Sequence, residues 1–230
     1  MLMVAMSALS RRARCRRLKR TVWAAVFWCF VVCGVAAGCR SDEDLFDATP
    51  QLDVLSAAQH YDEALRKARL WQSDAYLTGI AAIPGSTEGI GGYPVLVYTF
   101  ISATAPGTFF VANFSADRWS SEVAARDSSV PMPLPIARGD WPLDSVDAWS
   151  IALANGGEEF LLSHQDPLTN MGLTLDYWRL HTGQTVLAWD VRYLVLFTSS
   201  LHLRIDPRTG DIVEVIEQSV SATPVTTTPT

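Results

Sequence analysis

The chain has 230 residues, 49% of them hydrophobic, and a formal net charge of −6. Seven of its 18 Lys and Arg precede residue 39 and all 24 acids follow it, so residues 39–230 hold 11 basic groups against 24 acidic, a net charge of −13. So acidic a body excludes nucleic acid as a partner, because such binders present a basic patch or stripe, and an anionic lipid surface would repel it. Six of the eight tryptophans lie there too, with regular apolar runs that point to a packed core and not to disorder.

Arg11, Arg12, Arg14, Arg16, Arg17, Lys19 and Arg20 form a positive leader, followed by 18 uncharged residues, Thr21 to Gly38. A basic flank, an apolar core and a small-residue exit are the parts of a secretory signal. About 18 apolar residues also just suffice for a permanent membrane helix. The stretch ends on Val35-Ala36-Ala37-Gly38-Cys39, which resembles the bacterial lipobox, with Ala36 where that motif usually has Leu. The resemblance implies that residues 1–38 are a signal peptide, removed ahead of Cys39. It also implies that Cys39 carries a diacylglyceryl anchor of palmitate type, tying the protein to the membrane on the extracytoplasmic side of the cell envelope. Two acyl chains hold a protein stably where one does so marginally. All four cysteines, Cys15, Cys29, Cys33 and Cys39, lie at or before that point. The exported body therefore has no disulfide framework and no thiolate metal site.

Residues 39–53 are short, acidic and contain Pro50, and read as a tether, with Thr49 or Asp53 offering a helix cap. From Val54 the pattern turns helical: Val54, Ala58, Tyr61, Leu65 and Ala68 share one face, with Asp62–Arg66 and Glu63–Lys67 as acid-first pairs opposite. Beyond Trp71, residues 74–83 read as a strand, with a continued helix as the alternative. The glycines of 84–92 lack the Gly-Lys-Ser/Thr of a phosphate cradle. Val95–Ile101 and Phe109–Phe114 follow as strands around a Thr104–Gly107 turn, and Trp119–Val123 as a short third. Residues 54–129 thus form a first helix-plus-sheet module.

Residues 130–142 hold four prolines and mark a linker, because alternating prolines favour extended geometry and lack ladder donors. A second module, 143–218, then opens with Asp144 capping a helix that turns Val146, Trp149 and Leu153 inward and closes at Asn155-Gly156. Strands are expected over 172–180, 185–198, 201–205 and 211–216. In the second of these Thr185, Leu187, Trp189, Val191, Tyr193, Val195 and Phe197 share a face. Asp190 and Arg192 lie on the other, as a solvent-side pair. Asp206-Pro207-Arg208-Thr209-Gly210 predicts a hairpin, and residues 219–230 a disordered Thr/Pro tail.

Two stretches resemble bacterial PepSY-like extracytoplasmic modules: Ala64 to Ile80, with its Ala68, Trp71, Asp74-Ala75 and Leu77 spacing, and the closing hairpin Leu203 to Val215. The first half has Ala116-Asp117-Arg118-Trp119 in place of the glycine turn of the second. The resemblance implies an α+β fold, a helix packed on an antiparallel β-meander as in PepSY and cystatin-like domains, present in two related copies. It also implies a binding or inhibitory role, often near peptidases, with no catalytic residue and no cofactor.

The residues themselves offer little chemistry. His60, His164, His181 and His202 show no zinc-ligand spacing. Ser163, His164 and Asp166 unite nucleophile, base and acid types, but adjacent helical residues diverge by about 100° and do not make a triad. Glu158-Glu159 and Asp176 are the candidates for a cell-wall or glycan hydrolase, and a structural envelope protein is a third reading. Trp141, Trp149, Trp178 and Trp189 belong mostly in a core at their helix and strand spacing, with an aromatic binding surface as the alternative. The function expected is that of a membrane-anchored, non-enzymatic module for an envelope protein or peptide.

Overall fold

Ser56 opens the first helix. Its side chain accepts the Gln59 N–H at 3.0 Å, satisfying one of the free donors of the first turn, and α1 runs Ala57–Trp71. Asp53 is not the cap; it lies outside the helix, in a two-way backbone bridge with Gly85. The computed structural model describes residues 52–85, 93–164, 169–195 and 198–219. The expected signal segment, Cys39, most of the expected tether, residues 86–92 of the glycine-rich loop, Asp166, Phe197 and residues 220–230 of the expected tail lie outside the described residues.

The fold is α+β, helices against one antiparallel sheet of eight strands. These are β1 (Tyr76–Ile83), β2 (Val95–Ile101), β3 (Thr108–Ser115), β4 (Arg118–Ala125), β5 (Thr169–Arg179), β6 (Thr185–Val195), β7 (Ser199–Ile205) and β8 (Ile212–Ser219). The order across the sheet is β4-β3-β2-β1-β5-β6-β7-β8. Each half is a meander of sequential neighbours, and the first strands of the two halves meet in the middle. Only Ile80↔Leu175, Ala81↔Thr174 and Ala82↔Leu173 pair there. Three hairpins close on residues at positive φ, Ala116-Asp117 between β3 and β4, Gly183 between β5 and β6 and Gly210 before β8. The first does so without glycine, at an aspartate that tolerates the left-handed region and an alanine that does not favour it.

Period-two alternation places one residue set of β1, β2, β3, β5, β6 and β7 under the helices. Leu77, Ile80, Leu96, Tyr98, Phe100, Leu173, Leu175, Trp189, Val191, Tyr193 and Leu203 form this core, with Ala57, Tyr61, Ala64 and Ala68 of α1 above. The stripe of α1 is thus rotated towards its alanines, which let the helix approach the aromatic strands closely, and Val54, Ala58 and Leu65 flank it half-buried. Tyr98 Oη donates to the Ala57 carbonyl at 2.6 Å, and burial pushes its phenol well above the usual range.

The second helix, α2 (Ser145–Ala152), starts on the expected Asp144 cap. Its inward residues are Ala148, Trp149 and Ala152, while Val146 faces out. A π-turn at Leu153–Gly157, with Gly156 at φ 110°, leads into α3 (Glu158–Ser163). Gly157 is required by contact: a Cβ there would stand 2.3 Å from Tyr193 Oη. Residues 130–142 do not stand free between the halves. The Ile136 N–H donates to Leu77 O at 2.9 Å, Ile136 and Trp141 are buried, and Tyr177 Oη reaches Pro135 O at 3.4 Å. The segment fills the place where β1 and β5 stop pairing. No helix among the described residues is long and apolar enough to cross a membrane.

Candidate functional site

The strand register aligns one row across the face of the sheet that points away from the helices: Ser120, Asn113, Val97, Ala81, Thr174, Asp190, Arg204, Glu214. Outward from the central Ala81↔Thr174 pair, the row is apolar then neutral on one side and fully charged on the other. The next row of the second half is Gly172, Arg192, His202, Ile216. The alternation that buries Trp189, Val191 and Tyr193 therefore gathers Asp190, Arg192, His202, Arg204 and Glu214 on one patch.

Asp190 sits at its centre. Arg192 Nε donates to Oδ2, Arg204 Nε lies 3.4 Å from Oδ1 and His202 Nδ1 lies 3.9 Å from Oδ2. Although it belongs to the open face, Asp190 is 0% exposed, so the solvent-side pair expected from the alternation is corrected to a buried carboxylate under a partly exposed guanidinium. Trp178 provides the cover: the guanidinium carbons of Arg192 and Arg204 lie 4.8 and 4.9 Å from its ring centroid, in cation–π range. Burial alone would raise the Asp190 pKa, but His202 and Arg192 outweigh it and hold the carboxyl below its usual range. Glu214 is also lowered, first by the His181 N–H, which it accepts at 2.7 Å, then by the His181 ring and Arg204. Asp176 is the exception. Burial raises it, with only the Tyr177 N–H in opposition.

The aromatic surface proposed from sequence does not form. Trp141 and Trp189 are fully buried, with rings crossing edge to face at 6.4 Å, and Trp149 packs at 5.5 Å on Tyr193. They share the helix side of the sheet, where the indoles are the largest volume available to fill the core. Trp178 alone is half-buried, on the opposite face. His60 is likewise off the polar helix face, stacked at 4.0 Å on Phe114, and burial lowers its pKa despite Asp117 and Asp144.

Ser163 and His164 do meet, at 3.0 Å, because His164 leaves helical geometry at the end of α3. The helix-divergence argument fails at that terminus. The contact is still not a nucleophile–base pair. Ser163 Oγ donates back to Glu159 O at 2.8 Å, and His164 Nδ1 lies 2.9 Å from Phe160 O, so both groups are turned to carbonyls of their own helix. Glu158, Glu159, Leu162 and Ser163 line an open groove of 570 Å³ beside Leu153 and Gly156. This groove is on the helix side, and Asp176 on the far face of the sheet cannot join its carboxylates. Among the described residues no three His, Cys, Asp or Glu side chains converge as a metal site.

No family model matches the chain, and no curated protein does. A crystal structure of a protein from Clostridium difficile 630, described provisionally as a lipoprotein, aligns over 77% of this chain and 100% of its own at 12% identity and a TM-score of 0.44, a distant likeness that carries no argument about activity.

Proposed function

We propose that the chain is an exported lipoprotein, held in the cell envelope by lipid on Cys39, whose α+β body is a non-enzymatic binding module for an extracytoplasmic protein or peptide. One observation carries the reading. Helices cover a single face of the sheet, while the other face and the outer edges of β4 and β8 have no covering element among the described residues. An open strand edge accepts an extended peptide by main-chain hydrogen bonds, and side-chain patches beside it select the sequence. The charged patch favours recognition over proton transfer, since carboxylates held ionised by cations are poor acids near neutral pH. The equal halves are what duplication of a PepSY-like unit would leave, and regulation of a peptidase is the role that fits such a module. The test is capture of partners from envelope extract by residues 40–230, beside a peptidase-inhibition assay and fatty-acid labelling of cells. A captured partner, and labelling abolished by Cys39→Ala, support the proposal; unchanged labelling removes the anchor.

The half-buried Asp176, whose pKa is raised by desolvation, favours a second reading, a cell-wall or glycan hydrolase. That chemistry needs two carboxylates about 5–10 Å apart on one side of the substrate. Turnover of a wall fragment that disappears in Asp176→Asn would establish it.

A further inference from the structure

We infer that β4, one outer edge of the sheet, pairs antiparallel with β4 of a second copy of the chain, about a twofold axis at Ser121. The inference goes beyond the binding-module reading and leaves β8 as the edge open to another partner. β4 is exposed along most of its length and pairs with β3 from Arg118 to Ala125 without a bulge. It has neither proline nor lysine, two of the devices that keep an edge strand unpaired. Ser115↔Arg118 closes the hairpin, and the Arg126 N–H donates to Gly107 O at 2.8 Å, so the even-numbered residues bond inward to β3. Trp119, Ser121, Val123 and Ala125 therefore turn their N–H and C=O groups outward.

Any extended segment could take those main-chain groups; the side chains single out a second copy. With Ser121 opposite itself, Trp119 faces Val123 of the second copy, and the same pair recurs across the axis. Val123 is 53% exposed, whereas Trp119 is half-buried and held by Phe114 at 5.1 Å, so an exposed apolar side chain meets a fixed indole twice. Ser121 and Val123 are exposed on the helix side of the sheet, so α1 does not obstruct the seam. On the open side Arg118 and Glu122 are exposed and have no ion-pair partner among the described residues. The pairing sets Arg118 of each copy diagonal to Glu122 of the other, within reach of long side chains. β8 lacks this complementarity: its charges are Glu214 and Glu217, and two copies of it would repel.

One strand pair is small beside a stable interface, so the test follows the full-length chain by sedimentation equilibrium in density-matched detergent up to about 100 µM. A dimer is expected. Arg118→Glu and Glu122→Arg should each weaken it at least tenfold, by setting like charges on both diagonals. The double swap Arg118→Glu/Glu122→Arg exchanges the ends of the same diagonals and should restore it, and all three variants should keep the unfolding temperature. Opposed positions about 5.5 Å apart suit a disulfide, so Ser121→Cys should oxidise to a cross-linked dimer beyond that of the unsubstituted chain. Ser120→Cys should not, because its counterpart lies diagonally. A monomer throughout, a double swap as weak as the single changes, or cross-linking at 120 and not at 121 overturns the inference. A monomer that still captures a partner protein overturns it as well, and leaves the binding-module proposal standing.

Discussion

Asp144 Oδ2 accepts a 2.5 Å hydrogen bond from the Ser56 hydroxyl, joining the first turns of two helices 88 residues apart in the chain. The other oxygen, Oδ1, accepts Ala58 N at 2.9 Å and Ser145 N at 2.7 Å, so one carboxylate caps both helices. Ser145 returns the exchange: its Oγ accepts Ala57 N at 2.9 Å and donates to Leu55 O at 2.6 Å. Asp144→Ala should therefore cost more than a single cap, about 2–3 kcal/mol, and Ser56→Ala about 1 kcal/mol. Urea unfolding of the two single variants and the double should show that the losses do not add, because they share one bond.

Tyr193 Oη is buried without a hydrogen-bond partner among the described residues and is the atom that a side chain at position 157 would strike. Gly157→Ala should destabilise by about 1–3 kcal/mol through overpacking. Tyr193→Phe removes an unsatisfied hydroxyl and should be neutral or stabilising. Combined, the two changes should cost less than Gly157→Ala alone, although the ring carbon and the Ala152 carbonyl still crowd the site. Thermal unfolding of the three variants checks this.

Acid should weaken the fold through the charged patch. Asp190 and Glu214 have folded pKa values below their ordinary 3.8 and 4.5. The unfolded chain therefore takes up protons first, and their contribution is present above pH 4.5 and lost as pH falls through the lower folded values. Asp176 has the opposite sign, with a folded pKa above its ordinary 3.8. Its protonated form is favoured by folding, and that gain is lost as pH rises through the folded value. Asp176→Asn should thus stabilise the protein at pH 7 and do nothing at pH 3. Denaturant midpoints across that range are the measurement.

The two classes of tryptophan should separate cleanly. Trp189→Ala opens the core and should cost about 3–5 kcal/mol. Trp178→Ala uncovers Asp190 and two guanidiniums to water, which solvates them, and should cost far less. Calorimetry distinguishes the outcomes.

Much of this fold was legible where the pattern is local. The alternation of β6, the Asp144 cap and the Asp206–Gly210 hairpin each state their geometry within a dozen residues. What failed depends on a distant surface. The inward face of α1 was read from its larger residues, but the aromatic strands below admit alanines, and Glu63 pairs with both Arg66 at 2.6 Å and Lys67 at 3.6 Å in place of separate pairs. The prolines of 130–142 suggested a spacer because nothing in them announces the gap between β1 and β5 that Ile136 fills. The patch was half visible: Asp190 and Arg192 share a face by period two, whereas Arg204, Glu214 and Trp178 join them only through the register of three further strands. A signal was available, since charges at alternate positions of consecutive apolar strands must fall together on one side of a meander.

The three-residue join between β1 and β5 has a kinetic consequence. Every other ladder links strands adjacent in the chain, so each meander can assemble from short-range contacts, and closing the seam is the one sheet-forming step that must bring together residues about ninety positions apart. Slow-folding variants should accordingly cluster at Ile80, Ala82, Leu173 and Leu175, with the Ser56–Asp144 clasp reporting on the same late event.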